Sequence, residues 1–115
     1  MPTLNPIDWE ACVKQSNNKP KLAEELLGML ALELPTFITA ITTHLKDGDI
    51  AQLSHQIHRL HGACCYCGAI RLKQLLHEVE VDIHHYDRTT LEQKVQLILE
   101  EVKRVQHALS EKSYL

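Results

Sequence analysis

Apolar residues recur along most of the chain at alternating steps of three and four, the spacing that places side chains on one face of an α-helix. The series is most regular in the middle of the sequence, where it runs through Ile50, Leu53, Ile57, Leu60, Cys64 and Cys67. Similar series lie on both sides of it, separated by short polar segments. The sequence therefore predicts a handful of amphipathic helices rather than a sheet.

The first two helices are bounded by characteristic start and stop residues. Asp8 is expected to cap a short helix over residues 9–15, and Asn17-Asn18 are expected to end it. A second helix is expected to begin near Pro20 and to run towards Lys46. Its predicted apolar face consists of Leu26, Leu30, Leu34, Phe37, Ile41 and Leu45.

Pro35 lies inside this second apolar series. Proline lacks an N–H donor, and its ring clashes with the preceding turn of a helix. It should therefore kink the second helix or split it just before Pro35, and the sequence alone leaves both outcomes open.

Three more helices follow. Asp49, in the turn Asp47-Gly48-Asp49, is expected to cap the third helix, and Gly68 to form its left-handed C-terminal cap. The fourth helix is predicted to bury Leu72, Leu76, Val79 and Ile83. Thr89 and Glu92 form a capping-box pattern for the fifth. Its apolar face is predicted to be Leu91, Val95, Ile98, Val102, Val105 and Leu109.

Four long amphipathic helices joined by short turns predict an all-α fold, an antiparallel four-helix bundle with a short additional N-terminal helix covering one end. The sequence has no internal repeat or linker, so residues 1–115 are expected to form a single domain. That length suffices for a hydrophobic core. Because aromatic residues make up only 4%, the core must be mainly aliphatic. An excised domain given a start codon would look the same as a complete chain.

Net charge and cysteine content indicate the cellular compartment and the kinds of partner to expect. A net charge of -3 gives no basic field for nucleic acid or an anionic membrane. No stretch approaches ~20 uninterrupted apolar residues, and the N-terminus lacks a secretory signal. Three of the four cysteines fall within residues 64–67, too close together for a disulfide framework. We expect a cytoplasmic, reduced protein that is monomeric and contacts neither nucleic acid nor the membrane directly.

The segment HRLHGACCYCG, residues 58–68, concentrates two histidines, three cysteines and two glycines around the end of the third helix. Metal ligation, thiol redox chemistry and a phosphorylated histidine all fit this composition, but each needs a different geometry. Successive helical residues are about 100° apart. This places His58 on the side opposite the apolar face, and His55 and Gly62 share its outward direction.

A structural zinc site needs four convergent ligands, usually supplied by two separate elements. The candidates here lie on one predicted helix and fan out over a wide arc. They are His55, His58, His61, Cys64 and Cys67; His84 and His85 could add a second element, whereas Cys12 stands alone. We therefore predict no native metal site and keep a His/Cys zinc-binding domain as the least favoured alternative.

The Cys64-x-x-Cys67 pair also has the spacing of a thiol redox motif. A reactive pair needs an exposed thiol near a helix N-terminus, where the dipole lowers the pKa of the thiol. These two lie on the apolar face at the C-terminal end of the helix. We predict that both are buried free cysteines.

Gly62 favours the third interpretation, an exposed histidine nucleophile with space for a partner. A glycine inside a helix costs about 1 kcal/mol relative to alanine, so this position needs a reason. One turn after His58, Gly62 removes the side chain that would crowd an approaching partner, and Ala63 beside it is also small. Close packing of two helices within the domain would instead require Gly62 to face the core.

In this context the segment resembles the signature of histidine-phosphotransfer (HPt) domains. The matching residues are His58, Leu60, Gly62, Ala63 and Gly68. The opening IDWEACVKQSNNKPKLAEELLGMLALELP and the later GAIRLKQLLHEVE also look like this family, so the resemblance covers the whole chain. The chain looks closest to the C-terminal HPt domains of BarA/GacS-type hybrid sensor kinases.

The resemblance implies that His58 accepts a phosphoryl group from a receiver-domain aspartate and passes it to a second receiver in a multistep two-component phosphorelay. It implies no cofactor in this chain, because the partner receiver supplies the Mg²⁺. Nothing in the sequence resembles an ATP site. The chain is therefore expected to be a phosphocarrier rather than an enzyme, and its parent histidine kinase is expected to be anchored in the inner membrane.

Two further site residues follow from the resemblance. Related domains have Gln or Glu 22 residues after the histidine, in contact with its imidazole, and that position here is Glu80. Glu80 follows Val79 as His58 follows Ile57, so both lie on flanks where antiparallel helices can meet; the alternative is a solvated surface acid. Where the family usually has lysine, this chain has His61, a candidate phosphate-stabilising group that is mostly neutral at pH 7.

Receiver domains are expected to dock on the face around His58. The predicted partner-binding residues are Ser54, His55, Arg59, Gly62 and Cys65. The main alternative function is a non-catalytic helical module that binds a partner and accepts no phosphoryl group.

Overall fold

Five α-helices account for the regular secondary structure of residues 5–115, the part of the chain that this computed structural model describes. They are α1 (Trp9–Gln15), α2 (Pro20–Asp47), α3 (Ile50–Cys64), α4 (Ile70–Asp82) and α5 (Arg88–Glu111). Residues 5–115 contain no strand, and the predicted all-α class is confirmed. Residues 1–4 of the predicted domain lie outside the described residues.

The four long helices enclose one hydrophobic core. Helix α2 packs against α3 and α5, and α4 packs against the same two helices, so each long helix has two neighbours. Short connections make successive helices antiparallel, as the bundle prediction requires. The largest fully buried side chains of the four long helices are Leu27, Leu30, Leu34, Ile41, Leu53, Ile57, Leu60, Leu72, Leu76, Leu91 and Ile98.

Helix α1 covers the end of the bundle where α3 connects to α4. The side chain of Asp8 accepts from the N–H of Ala11 and caps the helix, as predicted. The N–H of Asp8 also donates to the carbonyl of Gly68 at 2.8 Å. Cys12 is fully buried, and its Sγ lies 3.6 Å from the carbonyl oxygen of Tyr66. These contacts fasten α1 to the α3–α4 connection.

Pro35 neither splits α2 nor ends it, because the helix continues through it from Pro20 to Asp47. Pro35 is exposed, and so is Ala31, the residue whose carbonyl loses its helical donor. Water can therefore satisfy that carbonyl. The side chain of Thr39 donates to the carbonyl of Pro35 at 3.1 Å, within the next turn.

Helix α2 is also long and apolar enough, by length and composition alone, to cross a membrane. The sequence showed no uninterrupted apolar run long enough for a span, and mean hydropathy is a looser criterion than such a run. One such helix is weak evidence for a span, because the core helix of a bundle passes the same test. The buried residues of α2 are Ala23, Leu27, Leu30, Leu34, Phe37 and Ile41, which form one face towards the bundle core.

Two predicted helix faces differ from the structure at their ends, where Leu26, Leu45 and Leu109 are only partly buried. In α2, Leu27 is buried and Leu26 lies at the margin, so the face begins at Ala23 and Leu27 instead of at Leu26. In α5, Ala108 is buried and Leu109 only partly so. In α5 the small alanine completes the buried face, whereas the prediction followed the larger leucine. In α2 two adjacent leucines compete for the first position, and the rotation of the helix buries Leu27.

The predicted capping box of α5 is wrong. The helix begins at Arg88, so Thr89 lies within its first turn. The cap is Asp87, whose side chain accepts from the N–H of Thr90 at 2.7 Å. This hydrogen bond lowers the pKa of the Asp87 carboxyl.

The end of α3 also differs in detail from the prediction. The helix ends at Cys64, with Cys65 as its C-cap, so Cys67 lies in the following turn although it is buried. Gly68 has the left-handed conformation expected of it, with φ +66°, but it closes this turn instead of capping the helix. The N-cap of α3 is Asp49, as predicted.

Candidate functional site

His58 projects into solvent from the outward face of α3. Its neighbours Ile57 and Leu60 are fully buried, whereas the His58 side chain is 72% exposed. The buried series fixes the rotation of α3 about its axis, and this rotation turns His58 outward. The predicted orientation of His58 is confirmed.

Glu80 on α4 reaches across to this histidine. Its Oε1 forms a hydrogen bond with Nδ1 of His58, and its Oε2 lies 3.4 Å from Nδ1 of His61. Because the preceding Val79 is buried in the core, Glu80 lies on the flank of α4 that faces α3. Its side chain is 23% exposed, so it is a partly buried acid shared by two imidazoles rather than an isolated surface acid.

The contact with Glu80 determines what His58 can do chemically. A carboxylate accepts hydrogen bonds and cannot donate them when ionised, so it favours the imidazole tautomer with the proton on Nδ1. Nε2 then carries a lone pair at the solvent-exposed edge of the ring. The result is an accessible nucleophile, Nε2, on one side of the ring, with the ring proton held on Nδ1 at the other side.

Gly62 leaves open space beside His58. A Cβ built on Gly62 would meet no atom within 4 Å apart from its chain neighbours and the adjacent backbone of its own helix, and the residue is exposed. Close packing within the domain therefore does not account for this glycine. The predicted outward direction of Gly62 is confirmed, and the space that it leaves is available to another molecule.

His61 lies further towards α4 than His58 does. Its side chain is 20% exposed, and its ring centroid is 5.7 Å from that of His77 on α4. The sequence reasoning did not identify His77 as part of this group. The sequence did offer one indication: His77 lies three residues before Glu80, and residues at this spacing lie on the same face of a helix.

The remaining predicted partner-binding residues surround His58 on α3. His55 is exposed, and Ser54 and Cys65 are partly exposed. The guanidinium of Arg59 lies over the ring of Phe37, 5.5 Å from its centroid, so this cation is directed towards α2. The Arg59 cation therefore packs against α2, whereas Glu80 reaches His58 from α4.

The cysteines of the segment do not converge with its histidines. Cys64 and Cys67 are buried in the core, and all four cysteines are free thiols. Burial raises the pKa of the Cys64 thiol far above its ordinary value and that of Cys67 to about 12. Both thiols stay protonated at neutral pH, and the prediction that both are buried free cysteines is confirmed.

Comparisons with known proteins identify domains that are similar to this chain in sequence and in fold. The family model for the Hpt domain matches residues 25–110. The crystal structure of the HPT domain from a Shewanella Hpt sensor hybrid histidine kinase superposes with a TM-score of 0.89 at 35% sequence identity. The alignment covers 98% of both chains.

Longer signalling proteins contain a similar segment. The signal transduction histidine-protein kinase BarA of Shigella flexneri is 34% identical over 74 residues, which is 64% of this chain. The sensor protein GacS of Pseudomonas syringae pv. syringae is also 34% identical over 74 residues. The matched segment makes up only 8% of the length of either protein.

Proposed function

The chain belongs to the Hpt domain family, and we propose that His58 is the residue on which it carries a phosphoryl group. The family functions in histidine phosphotransfer within two-component signalling, as a phosphocarrier that exchanges phosphoryl groups with receiver domains. The observation that supports His58 most strongly is its pairing with Glu80. This pair combines an exposed imidazole with an acceptor positioned on its Nδ1 side.

The proposed forward step begins with attack of the Nε2 lone pair of His58 on the phosphorus of a receiver's phospho-aspartate. The N–P bond forms as the P–O bond to the aspartate breaks, and the aspartate leaves as a carboxylate. Because Nδ1 keeps its proton, the phosphorylated ring is cationic, and the carboxylate of Glu80 stabilises that charge. Transfer to a second receiver breaks the N–P bond and forms a new aspartyl P–O bond.

Charge around the phosphoryl oxygens is the second requirement of this step. His61 lies one turn from His58 and can stabilise those oxygens when it is protonated. Its Nδ1 faces Glu80, 3.4 Å from Oε2 of that carboxylate. Arg59 carries a permanent positive charge, but its guanidinium packs over the ring of Phe37 on α2.

The rest of the transfer machinery belongs to the partner. We propose that the receiver provides the Mg²⁺ and the acidic pocket that holds it, so this chain needs no cofactor of its own for the transfer. It would then act as a phosphocarrier without an ATP site. Its proposed partners are a receiver of a hybrid sensor kinase and a receiver of a response regulator, which it meets as a cytoplasmic monomer or as a domain of a longer, membrane-anchored kinase.

The receiver is proposed to dock on the phosphotransfer face of α3, which consists of Ser54, His55, His61, Gly62 and Cys65 around His58. Within this face, Gly62 lies one helical turn from His58 and has open space beside it. Transient signalling interfaces are small, so one obstructing side chain near the reacting atoms can prevent the approach.

Replacing Gly62 with glutamine is expected to stabilise the domain and to impair its function. Glycine costs about 1 kcal/mol in a helix relative to good helix formers, so the free energy of unfolding should rise by up to about 1 kcal/mol. The added side chain should slow transfer from a phosphorylated receiver at least tenfold, which corresponds to about 1.4 kcal/mol of docking free energy. Thermal unfolding and a timed phosphotransfer assay measure the two effects.

Gly28 offers a matched control for this substitution. It is the other helical glycine whose built Cβ meets nothing within 4 Å, and it lies beside Leu109 and Lys112 at the end of α5. Gly28→Gln should stabilise the fold to a similar degree and leave transfer unchanged. Equal transfer rates in the Gly62 and Gly28 variants would contradict the proposed docking face.

A further inference from the structure

Three potential metal ligands from two helices converge next to His58. They are His61 on α3 and His77 and Glu80 on α4, and one ligand atom from each lies within 4.8 Å of the other two. The pair His61 Nδ1 and Glu80 Oε2 is already at 3.4 Å. Residues 77 and 80 share a face of α4 because they are three positions apart, and the packing of α4 on α3 brings that face to His61.

We propose that His61, His77 and Glu80 bind a divalent transition-metal ion, with Zn²⁺ as the best match, and that the bound ion slows phosphotransfer at His58. Two imidazoles and one carboxylate form a ligand set that zinc uses when it leaves a fourth position open to water. These residue types also exclude Mg²⁺ and Ca²⁺ as natural occupants, since both prefer oxygen ligands. The proposed effect of the ion on phosphotransfer rests on the proposed role of His58 as the phosphoryl carrier.

The observed spacing is compatible with this ion after small side-chain movements. Zinc binds nitrogen and oxygen at about 2.0–2.2 Å, so tetrahedral ligand atoms are about 3.3–3.5 Å apart. His61 and Glu80 already meet this separation. His77 is exposed, so its side chain can rotate towards the other two ligands without disturbing the core.

This ligand set differs from the candidate zinc ligands that the sequence suggested. That set lay along α3, and the structure divides it between the core, which takes Cys64 and Cys67, and the solvent-facing side of the helix. Only His61 is common to both sets. The contribution of α4 supplies the second element that a convergent site requires.

Coupling to phosphotransfer follows from the shared carboxylate. Oε1 of Glu80 pairs with Nδ1 of His58, and Oε2 faces the proposed metal position. An ion on Oε2 draws negative charge away from the carboxylate and makes it a weaker acceptor for the imidazole proton. The cationic phospho-imidazole then loses part of its stabilisation, so the rate of transfer falls.

The site itself is tested by titrating ZnCl₂ into tag-free protein by isothermal calorimetry. We expect one ion per chain, and His77→Gln should weaken the affinity at least about tenfold. His84→Gln removes another exposed histidine outside the cluster and should leave the affinity unchanged. Equal affinity in wild type and His77→Gln, or the absence of one-to-one binding, would overturn the site and indicate adventitious binding to surface histidines.

The coupling is tested by phosphotransfer with and without Zn²⁺ at saturating occupancy. His77 lies outside the proposed transfer machinery, so His77→Gln should retain the basal rate and lose the inhibition seen in wild type. Equal inhibition of both proteins would place the effect of zinc elsewhere, including on the receiver, and would overturn the coupling. If no protein accepted a phosphoryl group, the proposed function and the coupling would fail together, while the calorimetric titration would still decide the metal site.

Discussion

Phosphoryl acceptance is expected to fall to the level of the assay blank when His58 is replaced with glutamine. The substitution removes the Nε2 lone pair, which the proposed step uses as its nucleophile. The side chain is largely exposed, and the packing around it involves Ile57 and Leu60 rather than His58 itself. Stability should therefore change by only about 0.5 kcal/mol or less. Incubation with a phosphorylated receiver and Mg²⁺, followed by measurement of acid-labile phosphate on each protein, gives the result.

His84 provides the control for the loss of phosphoryl acceptance in His58→Gln. His84 is exposed and lies outside the cluster around His58, so His84→Gln should accept phosphate at the wild-type level. Thermal unfolding of both variants verifies that each is folded. Acid-labile phosphate on His58→Gln at wild-type levels would exclude His58 as the acceptor.

Gly68→Ala is expected to cause the largest loss of stability among single substitutions near the site. Gly68 has φ +66°, and a Cβ there would lie 2.3 Å from the carbonyl oxygen of Asp8 and 3.2 Å from the backbone nitrogen of Cys12. Both contacts are to backbone, so the start of α1 would have to move and the Asp8–Gly68 hydrogen bond would be strained or lost. We expect a loss of about 2–4 kcal/mol in the free energy of unfolding, measured by urea denaturation.

Gly48 separates the effect of backbone conformation from that of the close contact. It has φ +70°, and a Cβ there would meet only the side chain of Arg88, at 3.6 Å. Gly48→Ala should therefore incur only the left-handed conformational cost of about 1–2 kcal/mol. If Gly68→Ala were no more destabilising than Gly48→Ala, the close approach of α1 to the α3–α4 connection would be refuted.

The bundle could be predicted from sequence because its helices have strong periodic patterns and clear end signals. Asp8, Pro20 and Asp49 mark helix starts as expected, and the buried series of α3 follows the predicted one from Leu53 to Cys64. The errors arose where two signals competed. Asp87 precedes the Thr89 pattern and caps α5 in its place, and Leu27 is buried instead of Leu26 because the exact rotation of α2 depends on its neighbours.

The direction of His58 could also be predicted, because the buried series of α3 fixes which residues face outward. The position of Glu80 required a family resemblance in addition, since its distance from His58 depends on the register between two helices. The approach of His77 to His61 depends on the same register. The spacing of His77 from Glu80 places both residues on one face of α4, but it does not show that this face meets His61. Contacts within a helix follow from spacing, whereas contacts between helices require the packed structure.

The location of the phosphoryl group on the wild-type protein shows directly which atom accepts it. Tag-free protein labelled with ¹⁵N-histidine is phosphorylated by a receiver with Mg²⁺, and ³¹P and ¹⁵N NMR spectra identify the phosphorylated nitrogen. We predict one phosphoryl group on Nε2 of His58, with the proton of the ring retained on Nδ1 beside Glu80. A phosphoryl group on Nδ1 of His58, or on any other side chain, would contradict the account.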